Sequence, residues 1–357
     1  MKKISLRQFL VLEFVALMPP LIRATPSIFD RVAGRGGYLS FVVAFAVMAA
    51  VVSVLSRALR RLPEGGLGEL YCVSFGDGMG RLLSGVSAGL LLLIMVVALR
   101  FYGERFVSSL YPETDMGMFF LVGIGLALWL DKRPFGTLAR SGQIFFLGIV
   151  VVIVGILAMN LPSVRLYEVW PVGTGMLGGV AKAGYMGATM LSIGVGLLFS
   201  LNQVDERRGG EGLALWWLAG ICLLYLCMAF VITGVFSAHL TPALQIPFFA
   251  LAKEVRIVGA LERMESFVAA LWVFADVVML AMLLRSFRCA LGVCIGSERR
   301  ELSDGAALFL VPAGYLIAGS VFSLEKLFER GISAAAAVCF LALPVAAAAV
   351  GALRRRF

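Results

Sequence analysis

The chain alternates between ten apolar stretches and short polar connections, and two of the stretches carry residues that resist helix at comparable places. The first, LVLEFVALMPPLIRATPSI (Leu10 to Ile28), has Pro19-Pro20 at its middle. The sixth, AKAGYMGATMLSIGVGLLF (Ala181 to Phe199), has Gly184 and Gly187. Five hydrophobic segments separate one interruption from the next, so the chain reads as two halves of five. Paired interrupted spans at corresponding positions point to a solute site at the bilayer midplane.

Composition supports the membrane assignment. Hydrophobic residues make up 61%, charged residues 15%, and mean hydropathy is +0.95; soluble domains carry about 25% charged residues. The charge-free runs Gly36–Ser56, Leu82–Leu99, Ser141–Val164, Ala183–Val204, Gly305–Leu324 and Gly331–Leu353 each approach the ~20 apolar residues that cross a bilayer. Met116–Leu130 is shorter. The run from Gly212 to Ala252 is too long for one helix. It reads as a span to about Phe236, followed by SAHLTPALQIPFF as an interfacial or re-entrant piece. Ser266–Leu284 is the eighth span. The whole chain reads as one transmembrane domain, with halves at about 6–160 and 176–353. Placing both termini inside puts 19 of the 31 Lys and Arg on that side, which favours cytoplasmic termini.

The net charge of +9 is scattered over short loops, a topological pattern and not a nucleic-acid footprint. None of the six cysteines forms a CxxC pair, and the single histidine, His239, cannot build a His-based metal site. There is no P-loop and no nucleophile–histidine pair. No enzyme activity, cofactor or metal is expected.

Three charges lie at membrane depth: Glu13, Lys182 and Asp276. A central charge costs roughly 2.5–3.5 kcal/mol on insertion scales. Glu13 and Asp276 either line a proton or ion route or pair with an Arg or a hydroxyl for structure; Lys182 snorkels from the end of its span. The prolines deprive carbonyls one turn earlier, near Val15 and Ala16, of their donors, so these carbonyls are free to meet an ammonium. A kink repaired by neighbours fits Pro19-Pro20 equally well, and glycines in membrane helices commonly serve close packing.

Beside this reading stands a resemblance. SLRQFLVLEFV, RRLPEGGLGELYCVSFGDGMGRLLSGV, LPSVRLYEVWPVGTGMLGGVAKAGYMG and RIVGALERMESFVAALWVF occur in the order and spacing of one family. The chain resembles the B-type membrane subunit of spore germinant receptors, a branch of the amino acid–polyamine–organocation transporter superfamily. The resemblance implies an all-α integral membrane fold of ten helices in an inverted five-plus-five, LeuT-like repeat, with helices 1 and 6 broken. It implies a nutrient sensor in the inner membrane of the spore, partnered by an A-type subunit and a C-type lipoprotein. Its ligand pocket, carried over residue by residue, falls on Leu17, Met18 and Pro19; on Leu92 and Met95; on Gly184, Tyr185, Met186 and Gly187; and on Val273 and Asp276. Met18-Pro19-Pro20 and Ala188 depart from the family pattern and suit the pocket to a small apolar amino acid. A proton-coupled amino acid permease is the alternative.

Overall fold

The computed structural model describes residues 3–62, 65–109, 113–205, 210–255, 264–297 and 300–354. It is almost wholly helical. Strand β1 (Ile4–Ser5) leads into α1 (Leu6–Ala33), where Ser5 and Gln8 form a reciprocal capping box. Each side chain satisfies the other residue's backbone amide at the helix start. A 3-10 turn, Gly34–Leu39, reverses the chain into α2 (Ser40–Arg60). Gly34 has φ +57°, a conformation open to glycine at little cost. There follow α3 (Leu67–Phe75), α4 (Asp77–Ser109), α5 (Met116–Lys132) and α6 (Phe135–Asn160).

The second half mirrors this order. A short α7 (Leu166–Val169) precedes the sixth span, built from α8 (Leu177–Leu191), α9 (Ile193–Leu197) and a 3-10 segment, Leu198–Gln203. Strand β2 (Val204–Asp205) pairs in parallel with β1, Ile4 opposite Val204, and so ties the start of the first span to the end of the sixth. Then come α10 (Gly210–Leu240), α11 (Pro247–Glu254), α12 (Met264–Ile295) and α13 (Arg300–Leu316). The last rod comprises α14 (Val321–Lys326), α15 (Ser333–Ala336) and α16 (Leu343–Leu353), joined through two π-helical turns.

Seven helical segments are long and apolar enough to cross a membrane, and the first, Leu6–Arg60, contains both α1 and α2. With the 17-residue α5 and α13, the described residues supply ten crossings. α1 is the central rod: it touches α6, α8, α10 and α12, and most of its residues are buried on every side, as expected of an all-round apolar helix.

Three details differ from the sequence reading. First, Pro19-Pro20 does not end the helix. α1 runs through Pro19, Pro20 and Pro26, because the surrounding spans hold the rod together where its own hydrogen-bond ladder lapses. The prolines still leave the Val15 and Ala16 carbonyls without a ladder donor. Second, the sixth span does not break at Gly184 or Gly187; α8 runs through both, and where it meets α9 at Ser192 the turn only tightens, with φ −65°, ψ −15° and the Ser192 amide still bonded to the Ala188 carbonyl at 2.9 Å. Those glycines are packing positions: a Cβ at Gly184 would lie 2.4 Å from Val43 Cβ, and one at Gly187 2.7 Å from Phe29 Cζ. They let α8 press on α1 and α2. At this tightened turn, the Ser192 hydroxyl donates to the Thr189 carbonyl at 2.7 Å, a side-chain bond of the kind that bends helices. Third, charges lie inside rods. α4 continues through Arg100, Glu104 and Arg105, and the tenth span holds Glu325 and Glu329.

The expected end of the seventh span near Phe236 coincides with Ser237, whose φ of 71° and ψ of 154° break α10. The chain then folds back through a 3-10 turn, Thr241–Ala243, into α11.

Candidate functional site

Midway along α1, a small cavity of about 30 Å³ lies between the first, third, sixth, eighth and tenth spans. Pro19, Pro20 and Arg23 face it from α1, and Ile94, Val97, Ala98, Phe101 and Arg105 from α4. Ile193 faces it from the start of α9, Asp276 and Met279 from α12, and Phe328 from the tenth span. The proline pair of α1 and the first residue after the tightened turn at Ser192 therefore meet here.

The charges of the cavity are organised around Asp276, which is 1% exposed. Arg105 donates to both carboxylate oxygens of Asp276, and its guanidinium lies 4.2 Å from the centre of the fully buried Trp272 ring. Arg23 pairs with Glu325 at 3.5 Å and lies 4.1 Å from the centre of the Phe101 ring. Cation–ring contacts of this kind gain strength when desolvated. Two guanidiniums and one carboxylate thus line the space, and with Glu325 behind Arg23 each guanidinium is paired with a carboxylate.

A vestibule of about 570 Å³ lies beyond this cavity, on the face away from the termini, and includes Ser27, Arg31 and Leu244. Pro20, Arg23, Phe101 and Phe328 belong to both spaces. Phe101 and Phe328 stand edge to face, with centroids 6.2 Å apart, and Arg23 bridges to Glu325 beside them. These side chains form the partition between vestibule and cavity. One helical turn outward, Arg31 pairs with Glu329 at 3.2 Å.

The expected ligand residues separate into two groups. Pro19 and Asp276 line the cavity. Leu17 faces a different cavity, nearer the termini. Met18 and Met95 are buried in the core, and Leu92 and Val273 are packed against it. On α4 the lining residues are offset from Leu92 and Met95 to Ile94, Val97 and Ala98. Gly184 and Gly187 pack against α2 and α1, Tyr185 is 52% exposed and Met186 is packed against the core. The first residue of α9, Ile193, occupies the place expected of the glycines. Glu13 and Asp276 line separate cavities with no lining residue in common.

Arg105, Arg23 and Phe101 are the site residues that the sequence reading passes over, because it treats the charges after Leu99 as a loop. A signal was available: positions 94, 97, 98, 101 and 105 repeat at helical spacing and continue one face of α4 beyond the apolar run.

A sequence profile described as spore germination protein matches residues 3–329. The chain belongs to the spore germination protein family. A relative within reach of sequence comparison is the putative spore germination protein YfkT of Bacillus subtilis (strain 168), 23% identical over 266 residues, which cover 73% of this chain and 71% of YfkT. Among solved structures, MhsT in complex with L-phenylalanine superimposes with a TM-score of 0.65 at 13% identity, covering 98% of this chain and 89% of MhsT. That likeness establishes a LeuT-like, all-α membrane fold. The family and fold are those of permease-like integral membrane proteins.

Proposed function

We propose that this member of the spore germination protein family is the nutrient-sensing B-type subunit of a germinant receptor, and that its nutrient is an amino acid held at the cavity between Pro19-Pro20, Ile193 and Asp276. The observation that carries the reading is the meeting of buried charge and the Pro19-Pro20 stretch of α1 in one cavity. Arg23, paired with Glu325, keeps its buried Nε–H without an acceptor, a donor that a ligand carboxylate would satisfy. The Val15 and Ala16 carbonyls, left without ladder donors by the prolines, lie one turn away on the same rod and suit an ammonium. An amino acid zwitterion needs both kinds of group at close range. The apolar walls (Ile94, Val97, Ala98, Met279) favour an apolar side chain, and the cavity of about 30 Å³ takes a whole amino acid only by opening into the vestibule past Phe101 and Phe328. The solved structure of similar fold holds L-phenylalanine, which supports an amino acid as the kind of ligand.

In this reading both termini are cytoplasmic, the vestibule faces outward, and the protein lies in the inner membrane of the spore beside an A-type subunit and a C-type lipoprotein. Residues at about 6–160 and 176–353 form the two inverted repeats. The protein performs no covalent chemistry. Binding acts by preferring one arrangement of α1 and the sixth span, because a ligand shifts an equilibrium only through differential affinity.

The test uses spores of the source organism carrying Ile193→Trp, a substitution that fills the cavity and leaves every charge in place. Germination in response to alanine, leucine or valine is expected to fall at least tenfold while the protein remains in the membrane at its usual level. Unchanged germination contradicts the reading. Accumulation of labelled amino acid in proton-energised vesicles of the purified protein favours the permease alternative.

A further inference from the structure

A second cavity, of about 120 Å³, lies in the half of the molecule that carries the termini, between α1, α2, the sixth span and α10. It shares no lining residue with the cavity at Asp276. Its walls are largely aliphatic: Leu6, Leu10 and Leu17 from α1, Leu55 from α2, Val195 from α9 and Leu218 from α10. One carboxylate, Glu13, lies among them, partly exposed to the cavity. Among the described residues nothing donates a hydrogen bond or an ion pair to it. The other charges at the cavity, Arg60 of α2 and Glu211 of α10, are occupied with each other at 3.6 Å, and Arg57 also holds Glu211, at 3.1 Å. The sixth span contributes no charge to the lining. The Trp217 indole N–H is committed to the Leu10 carbonyl at 2.8 Å, so that residue offers its ring and not a donor.

Glu13 is held where it is by a glycine. A Cβ at Gly194 would lie 2.2 Å from Glu13 Oε1, so any other residue there would push the carboxylate away from the start of α9. An unpaired carboxylate among leucines is costly, and the natural complement to this shape and charge is a cation with an apolar body. A water-sized probe claims about 10–15 Å³, so the space accommodates roughly eight to twelve non-hydrogen atoms.

The geometry points to a second ligand site, in which Glu13 receives the ammonium group of a short alkylamine whose chain lies along Leu10, Leu55, Val195 and Leu218. Its occupant would hold Glu13, whose carboxylate lies against Gly194, next to Ile193 of the first cavity, and so bear on the sixth span from the other side. The site goes beyond the amino acid reading and does not depend on it.

The probe is n-hexylammonium, titrated calorimetrically into the full-length protein in nanodiscs of neutral lipid, with empty nanodiscs as the blank and n-hexanol as the uncharged match. Saturable hexylammonium binding is expected, at least tenfold tighter than hexanol and at least tenfold weaker in Glu13→Gln. Leu55→Phe, which narrows the cavity and keeps the carboxylate, is expected to weaken it as well, and serves alone if Glu13→Gln does not fold. Ala98→Trp, which blocks the other cavity without touching an ion pair, is expected to leave it unchanged, which separates this result from any failure of amino acid binding at the other cavity. Equal affinity for hexanol, full affinity in Glu13→Gln or in Leu55→Phe, or no saturable binding to the folded protein overturns the proposal.

Discussion

Arg105 and Asp276 show most clearly how single residues decide this structure. Each is buried, 6% and 1% exposed respectively, and each makes the other tolerable. Removing one partner of a buried pair leaves an uncompensated charge and typically costs about 3–5 kcal/mol, whereas replacing both by apolar residues is often close to neutral. Asp276→Ala is therefore expected to lower thermal stability sharply. Arg105→Met with Asp276→Leu is expected to recover most of it without restoring the ligand response, as thermal unfolding and binding measured on the same samples would show. A second residue-scale expectation concerns Gly194. Gly194→Ala sets a methyl against the Glu13 carboxylate and is expected to cost about 1–3 kcal/mol, the usual range for overpacking. Adding Glu13→Ala removes the clash and is expected to return most of that loss; an additive double mutant would contradict the contact. At this scale the sequence was half legible. Asp276 announces itself as an acid within an apolar run. Its partner does not, because Arg105 lies beyond the charge-free part of α4, among Arg100 and Glu104, where a charge count ends the span before the helix does.

At the scale of elements, the irregularities matter more than the regular helices. The sequence marks where a rod is weakened but not whether its neighbours repair it. Pro19-Pro20 lies in a helix enclosed by α6, α8, α10 and α12, and that packing keeps the rod continuous. Gly184 and Gly187 look like weak points and prove to be contact surfaces for Val43 and Phe29. The tightened turn at Ser192 keeps helical dihedrals and coincides with hydroxyls that turn back on the backbone: Ser192 to the Thr189 carbonyl, and Thr189 to the Met186 carbonyl at 2.7 Å while also meeting Ser333 at 2.6 Å. No apolar pattern encodes such bonds. The break at Ser237 was legible, because the apolar run there was too long for one helix and prolines follow. Its φ of 71° and ψ of 154° lie where only glycine is at ease, at a cost of about 1–3 kcal/mol for other residues. Ser237→Gly is expected to raise the unfolding temperature, and Ser237→Val to lower it. The reverse order would mean that the kink is absent.

For the molecule as a whole, the two halves converge on one place. The β1–β2 pair joins the entry of the first span to the exit of the sixth near the termini, and the Arg23–Glu325 and Arg31–Glu329 pairs join the first span to the tenth on the opposite face. Between these fastenings lies the cavity at Pro19-Pro20, Ile193 and Asp276. The number of spans and the pairing of irregular helices could be read from the sequence. Phe101 continues a legible face of α4, but its closure against Phe328 and beside Ile193 was not legible, because the three become neighbours only when distant spans pack. The most direct measurement is equilibrium dialysis of labelled alanine, leucine and valine against the purified full-length protein, wild type and Ala98→Trp, with circular dichroism confirming that both are folded. Ala98 lines the cavity and carries no charge, so an indole there blocks the space without disturbing the ion pairs. The account expects saturable binding of at least one of the three to the wild type and none to Ala98→Trp; equal binding to both proteins, or saturable binding to neither, would contradict it.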